Sequence, residues 1–343
     1  MRIVNTMKEF DIGFVRLNFI KPLLNGLYAE YAIKPDDLGI PSALLEEPLT
    51  LIPINIANRW LEQAEHLSQD PLFMLKLTPY IGFENVELFN KWVYHTPDFV
   101  VTFRRINYGC SMLQSGCSLS GLQSGNIVKW AYNNPYASHQ ARLHDSLRMA
   151  IMMFNMLRYY LGEEFTPLQV NLTGPAAELK QLEAFFGCKV KQSSAQTEVW
   201  LNASVTHLDE NSQWERHAPL RLNDAQLDEY INIPQPHDTV KSLYSLINFS
   251  RYYGRPNVDF LADCLSISRQ QLQRRLLAHG WNFSAMTANV LCNEAVQYLF
   301  KGYDINNIAQ RLSYSNEQSF CRAFKRLRGV TPYQYLQKLK AKT

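Results

Sequence analysis

No run of about 18 apolar residues occurs anywhere in the 343-residue chain, so the sequence offers no membrane-spanning helix. The N-terminus, MRIVNTMKEFDIGF, carries acidic residues and lacks the apolar core of a secretory signal. None of the six cysteines forms a C-x-x-C pair, which speaks against a zinc site or a disulfide framework and for reduced, buried thiols. His139 and His144 stand five apart, which is not a common zinc spacing. No G-x-G-x-x-G, Walker loop, H-E-x-x-H or G-x-S-x-G is present, so no catalytic residue, cofactor or metal is expected. Low-complexity segments are missing too. With 46% hydrophobic and 19% charged residues, the composition excludes disordered and collagen-like classes. A cytoplasmic globular protein with no membrane partner is the expectation.

What the chain does have is an uneven distribution of charge. The net charge is only +3, yet from Lys241 onward 15 basic residues face 5 acidic ones, a net +10. The preceding 240 residues hold 19 basic and 26 acidic residues, a net −7. A basic C-terminal third on an acidic body points to a polyanion partner for that third. The length suggests two domains. A boundary is visible at INIPQPHDTV, residues 231–240, which has two prolines and neither helical nor strand period. Helical spacing resumes at once with Val240, Leu243, Tyr244 and Ile247, and Asp238 or Thr239 can cap that helix. The expected division is residues 1–230, a linker at 231–238, and residues 239–343.

The first part reads as α+β. Helices are predicted over 12–33, 53–68, 144–162 and 176–187, with strands at 167–172 and near 188–207. Residues 99–132 are rich in aromatic and β-branched side chains broken by glycines, which predicts short strands and turns. The Met-rich stripe of 144–162 reads as core packing. WVYH (92–95) and FRRINY (103–108) mix aromatic and basic groups, but no effector site is assigned to them.

The second part is nearly all helix and contains a repeat. Val258, Leu261, Ala262 and Leu265 fall at i, i+3, i+4 and i+7; Ile305, Ile308, Ala309 and Leu312 do the same 47 residues later. Each stripe is followed by a short turn and a basic helix with apolar residues four apart, Leu272 and Leu276, then Phe320 and Phe324. That is the helix-turn-helix pattern, in which the second helix presents side chains to base edges in the major groove. The outward residues are Arg269, Gln270, Gln271, Gln273 and Arg274 in the first copy, and Glu317, Gln318, Ser319 and Arg322 in the second. Gln and Arg can pair with adenine and guanine edges, and Glu can accept from cytosine. Lys325, Arg326 and Arg328 follow and suit phosphates; Arg275 suits either a brace or the DNA backbone. The second pair of apolar residues matches at an offset of 48, so the second turn is one residue longer, with Asn316 the N-cap in place of Ser315.

INNIAQRLSYSNEQSFCRAFKRLRGVTP, residues 305–332, resembles the signature of the AraC/XylS family of transcription regulators, and LADCLSISRQQLQRRL with GWNF resembles its first copy. The resemblance implies an all-α domain in which two helix-turn-helix units, joined by one long helix over 284–300, read successive major-groove turns of promoter DNA. Two departures stand out: Ser313 occupies a turn position where the family usually has Gly, and the connecting helix near Leu291 lacks the family's Arg. LSQDPLFML (67–75), LGEEFTPLQV (161–170) and FFGCKV (185–190) are similar to the arabinose-binding type of sensory domain found in regulators of ornithine and arginine use. This implies a small-molecule effector, a homodimer and, for the whole chain, activation through RNA polymerase. Two alternatives stay open at this point. One is an alkyl-transfer repair enzyme, for which Cys110 and Cys117 are the candidate nucleophiles. The other is a DNA-binding dimer that needs no ligand.

Overall fold

The computed structural model describes residues 10–92, 99–207 and 224–340. The chain divides into two compact units. Gly13–Gln235 form one, and Pro236 onward, together with Phe10–Ile12, the other.

In the first unit, β1 (Phe14–Arg16) pairs antiparallel with β2 (Leu51–Pro53). Between them lie α1 (Leu17–Tyr31) and the single turn α2 (Ser42–Leu45). Then come α3 (Ile54–Ser68), α4 (Phe73–Lys76), α5 (Glu87–Trp92) and α6 (Phe99–Leu113). A five-stranded sheet follows, built from β3 (Ser118–Ser124), β4 (Ile127–Asn133), β5 (Gln169–Asn171), β6 (Lys189–Lys191) and β7 (Thr197–Asn202) in the order β3-β4-β7-β5-β6. Only β5 and β6 run parallel, joined by the crossover helix α8 (Leu179–Phe186). The longest helix, α7 (Arg142–Leu161), packs on β7, and its Met149, Met152, Met153 and Met156 are core residues, as their spacing predicted.

The main departure from the sequence reading is α6. Residues 99–113, expected as strands and turns, are one helix. Phe99, Thr102, Ile106, Cys110 and Leu113 are buried along one face, a helical period that the β-branched composition obscures. Gly109 is no turn glycine: a Cβ there would meet the Phe89 ring at 2.7 Å, so the glycine permits close packing of α5 on α6. Of the two aromatic-basic stretches, residues 93–95 lie outside the described residues. In the other, Phe103 packs on Trp130 at 4.5 Å between ring centroids, Asn107 accepts from the Trp130 indole, and Tyr108 is exposed. These are helix core and surface.

The sequence reading also contains no helix at α9 (Asp224–Ile231). Its position depends on Arg16, 213 residues away, which is buried and donates to the carbonyls of Met112 (3.0 Å), Leu49 (2.9 Å), Glu229 (2.5 Å) and Tyr230 (3.2 Å). Burial pulls the pKa of this guanidinium down to about 10, although Glu229 and Tyr230 favour the charged form.

The second unit is helical: α10 (Thr239–Ser250), α11 (Val258–Cys264), α12 (Arg269–Ala278), α13 (Phe283–Phe300), α14 (Ile305–Arg311), α15 (Glu317–Arg328) and α16 (Pro332–Lys340). Asp238 caps α10, its side chain accepting from Lys241 N–H. Asn257, Ser268, Asn282, Asp304 and Asn316 cap the next five helices in the same way, so the boundaries are written into the sequence locally. The core beneath the second repeat joins Leu291, Ala295 and Leu299 of α13 to Ile308, Leu312, Phe320 and Phe324.

Both turns of the repeat leave their first helix by the same device. Ser266 and Ser313 take left-handed conformations, φ 52° and 56°. Ser266 N–H donates to Asp263 and Ile267 N–H to Ala262; 47 residues later Ser313 donates to Gln310 and Tyr314 to Ala309. This crossed pair of bonds is the Schellman ending, which favours Gly at its left-handed position. Ser313, at the turn position where the family usually has Gly, therefore keeps the turn and takes the positive φ itself. A Cβ in this region costs about 1 kcal/mol. Ser266→Gly and Ser313→Gly should each stabilise the helical unit by about 0.5–1 kcal/mol, additively because the sites are apart. Urea unfolding of the single and double variants measures this; destabilisation by Gly would contradict the left-handed assignment.

Candidate nucleic-acid interface

The second helices of the two repeats are α12 and α15. Leu272 and Leu276 bury one face of α12, and Phe320 and Phe324 bury the matching face of α15. At about 100° per residue, the direction opposite that face is occupied by Gln270 and Arg274 in α12 and by Gln318 and Arg322 in α15. All four are exposed. The one-residue offset between the repeats is absorbed by Ser315: Asn316, not Ser315, caps α15, its side chain accepting from Ser319 N–H at 2.9 Å. The same Gln-x-x-x-Arg pair thus emerges at the same height in both units.

Other predicted residues have prior engagements. Gln271 is exposed, but its side-chain carbonyl accepts from Ser268 N–H at 2.8 Å while Ser268 accepts from Gln271 N–H, a reciprocal cap that fixes the start of α12. Ser319 is half-buried and its hydroxyl donates to Asn316 O at 2.8 Å. Glu317 is half-buried in the first turn of α15, where the helix dipole favours a carboxylate, and it accepts from the Tyr333 hydroxyl at 3.1 Å. That bond raises the pKa of Tyr333. Gln273, Lys325 and Arg326 are exposed.

Arg269 forms an exposed ion pair with Asp259 at 3.1 Å, a partner that the repeat pattern does not reveal because it comes from the bracing helix α11. A carboxylate here opposes phosphate approach and holds Arg269. Asp259→Asn should strengthen DNA binding several-fold and make it more salt-sensitive; unchanged affinity in a fluorescence-anisotropy titration would place Asp259 away from the DNA.

Arg328, grouped with the phosphate-facing residues by position, is exposed but turned back onto α13. It donates to Asn293 Oδ1 at 2.7 Å and lies 3.3 Å from Cys292 Sγ. A second brace reaches α13 from α10's end, where buried Arg251 bonds the Tyr298 hydroxyl at 2.8 Å and pairs with Glu294 at 3.4 Å. Those two arginines bind the connecting helix, which carries no arginine of its own near Leu291. Arg275 lies over the Phe10 ring, 5.8 Å from its centroid, as a brace.

The family model for the arabinose-binding domain of AraC transcription regulators matches residues 36–209, and a helix-turn-helix domain model matches residues 261–338. The chain belongs to the AraC family of transcription regulators. An AraC-type sensory domain joined to a helix-turn-helix domain makes it a ligand-responsive, DNA-binding regulator rather than an enzyme. Among solved structures it is similar to the transcriptional regulator CdpR from Pseudomonas aeruginosa, 19% identical, with a TM-score of 0.45 over 93% of this chain and 98% of that one. No curated protein matches it. The match over residues 36–209 is to a sensory domain, which sets the alkyl-transfer alternative aside. Cys110 lies in α6 rather than in a strand. Cys110 and Cys117 are free thiols that share a hydrogen bond at 3.8 Å between sulfurs, and this bond with burial pushes the Cys117 thiol pKa well above the ordinary range, disfavouring the thiolate.

Proposed function

We propose that the regulator reads two successive major-groove segments of promoter DNA, with Gln270 and Arg274 contacting bases in one and Gln318 and Arg322 in the other. The observation that carries this reading is the recurrence of one exposed Gln-Arg pair, opposite the buried face, in two capped helices of a segment, residues 239–343, whose net charge is +10. Arg bidentate to guanine and Gln bidentate to adenine are the geometric matches for those side chains. Lys325 and Arg326 contact phosphates, and Arg269, Gln271, Gln273, Glu317 and Ser319 position the two helices or line the groove. The sensory unit binds the effector and forms a homodimer, and the bound protein activates transcription through RNA polymerase in the cytoplasm. Family membership supports these last assignments.

The test contrasts two substitutions on α15. Arg322→Ala should cost about 1–3 kcal/mol against the preferred duplex and relax selectivity at one base step. Lys325→Ala should weaken binding to every duplex alike and reduce the slope of log K against log salt by about 0.9. Anisotropy titrations at several salt concentrations, on duplexes selected from a random pool, separate the two. If both variants bind like the parent, the reading face lies elsewhere.

A further inference from the structure

Ser315, the extra residue of the second turn, lines an open cleft of about 470 Å³ in the helical unit. Tyr314, Ser319 and Ala323 line it with Ser315, and so does Arg255. Arg255 lies in the loop ahead of α11, so a residue at the start of the first repeat meets the turn and second helix of the second.

Helical spacing explains the opening on the α15 side. Ser319, Ala323 and Arg326 stand at i, i+4 and i+7, on the flank between the buried Phe320–Phe324 face and the exposed Gln318–Arg322 face. The first two are small. In the first repeat the same flank of α12 carries the long side chains of Gln271 and Arg275.

The electrostatics are one-sided. No carboxylate lines the cleft, and Glu317, in the first turn of α15, is bonded by Tyr333. Arg255 is exposed and, among the described residues, its guanidinium has neither a hydrogen bond nor an ion pair. It differs in this from Arg269 and Arg328, which protein groups hold. Arg255 and Arg326 both act on the half-buried Tyr314 hydroxyl, lowering its pKa against the larger rise that burial imposes. The Ser319 hydroxyl is committed to Asn316 O at 2.8 Å, whereas exposed Ser315 has only Ser319 Oγ, 3.3 Å away. An uncommitted arginine fork and a lightly engaged hydroxyl, in a cleft without carboxylates, match an anion with several acceptor oxygens.

We propose that this cleft receives a phosphate of the DNA backbone, held by Arg255 and the Ser315 hydroxyl, with Arg326 at its edge. The proposal rests on the reading of α15 as a base-reading helix, since the cleft lies about a quarter turn of helix from the Gln318–Arg322 face. It gives the added turn residue a task, and it lets one contact join the first repeat to the DNA strand beside the second.

A duplex selected from a random pool is prepared with single neutral methylphosphonates walked along both strands. Anisotropy titrations compare the full-length protein with Arg255→Ala, Arg255→Lys and Ser315→Ala. Arg255→Ala should weaken binding to selected and random-sequence duplexes alike, roughly five- to tenfold at 0.1 M salt, and reduce the slope of log K against log salt by about 0.9. Lysine keeps the charge and should restore the slope but only part of the affinity. Ser315→Ala should weaken binding by a smaller factor and leave the slope unchanged. One methylphosphonate beside the bases that α15 reads should weaken the parent by a factor similar to that of Arg255→Ala, and cost that variant nothing further, because the contact is already gone. The proposal is overturned if Arg255→Ala binds like the parent, or if its loss adds to that of every methylphosphonate. Inorganic phosphate at millimolar concentration should give no saturable binding in calorimetry; saturable binding that Arg255→Ala abolishes would assign the cleft to a free phosphate compound instead. Arg322→Ala on the same duplexes reports the base-reading assignment separately. If it loses selectivity while Arg255→Ala is silent, only the phosphate site falls; if it keeps selectivity, the reading face itself falls.

Discussion

The Arg274→Ala/Arg322→Ala double variant is expected to bind its preferred duplex about 2–6 kcal/mol more weakly than the parent, while keeping a similar affinity for random-sequence DNA. Each arginine supplies about 1–3 kcal/mol of discrimination if it holds a guanine edge. The two lie in separate helices, α12 and α15, with no shared partner among the described residues, so the losses should be close to additive. Both side chains are exposed, so neither removal leaves a hole in the core. The remaining basic residues of the unit still meet phosphates, and that sequence-independent attraction should survive with its salt dependence little changed. Footprinting across a promoter, with circular dichroism to confirm the fold, gives the answer. A double variant that protects the same sites at the same concentration would remove both helices from the reading role.

Asp145→Ala should destabilise the first unit by about 3–5 kcal/mol. Asp145 is the acceptor around which Tyr132, Asn134 and Arg148 are arranged. Arg148 is buried, and burial alone would lower its pKa; the neighbouring Asp145 and Tyr132 outweigh that and raise it. Removing the carboxylate strands a guanidinium in an apolar wall with only Gln114, the Met152 sulfur and the face of Phe19 for company. Asp145→Asn, which keeps an acceptor oxygen, should cost less. Urea unfolding followed by tryptophan fluorescence, to which the fully buried Trp130 of this unit contributes, orders the two. Equal stability of the alanine variant and the parent would show that the pair is solvated.

The second unit was legible because nearly everything that specifies it is local. Helices α10 to α15 begin at Asp, Asn or Ser caps that bond three residues ahead, and the turns end at bonds three and five residues back. Its stripes repeat at helical spacing, so an offset of 47 in one set and 48 in the other already located an extra residue in the second turn. The limits of that reading lie where side chains cross between helices. Nothing in a periodic pattern says that Asp259 will take Arg269, that Tyr333 will take Glu317, or that Arg328 will turn back to Asn293.

In the first unit the balance reverses. The segment Phe99–Leu113 carries strand-favouring residues, and only the bodies packed against it, Phe89 at Gly109 and Tyr160 at Thr102, select the helix. Placement of α9 rests on Arg16, more than 200 residues earlier. By itself the sequence determined two helix-turn-helix units, the extra residue in the second turn with its Asn316 cap, and a basic third of the chain, because those depend on contacts within a few turns of one helix pair. Only the tertiary structure decided that Arg269, Arg275 and Arg328 are engaged by Asp259, Phe10 and Asn293, and that the sensory unit holds a small, largely apolar cavity beside its buried Arg148–Asp145 pair. A cavity is the space left when distant segments pack. Its walls here come from positions as far apart as Val15 and Arg148, which no local period connects.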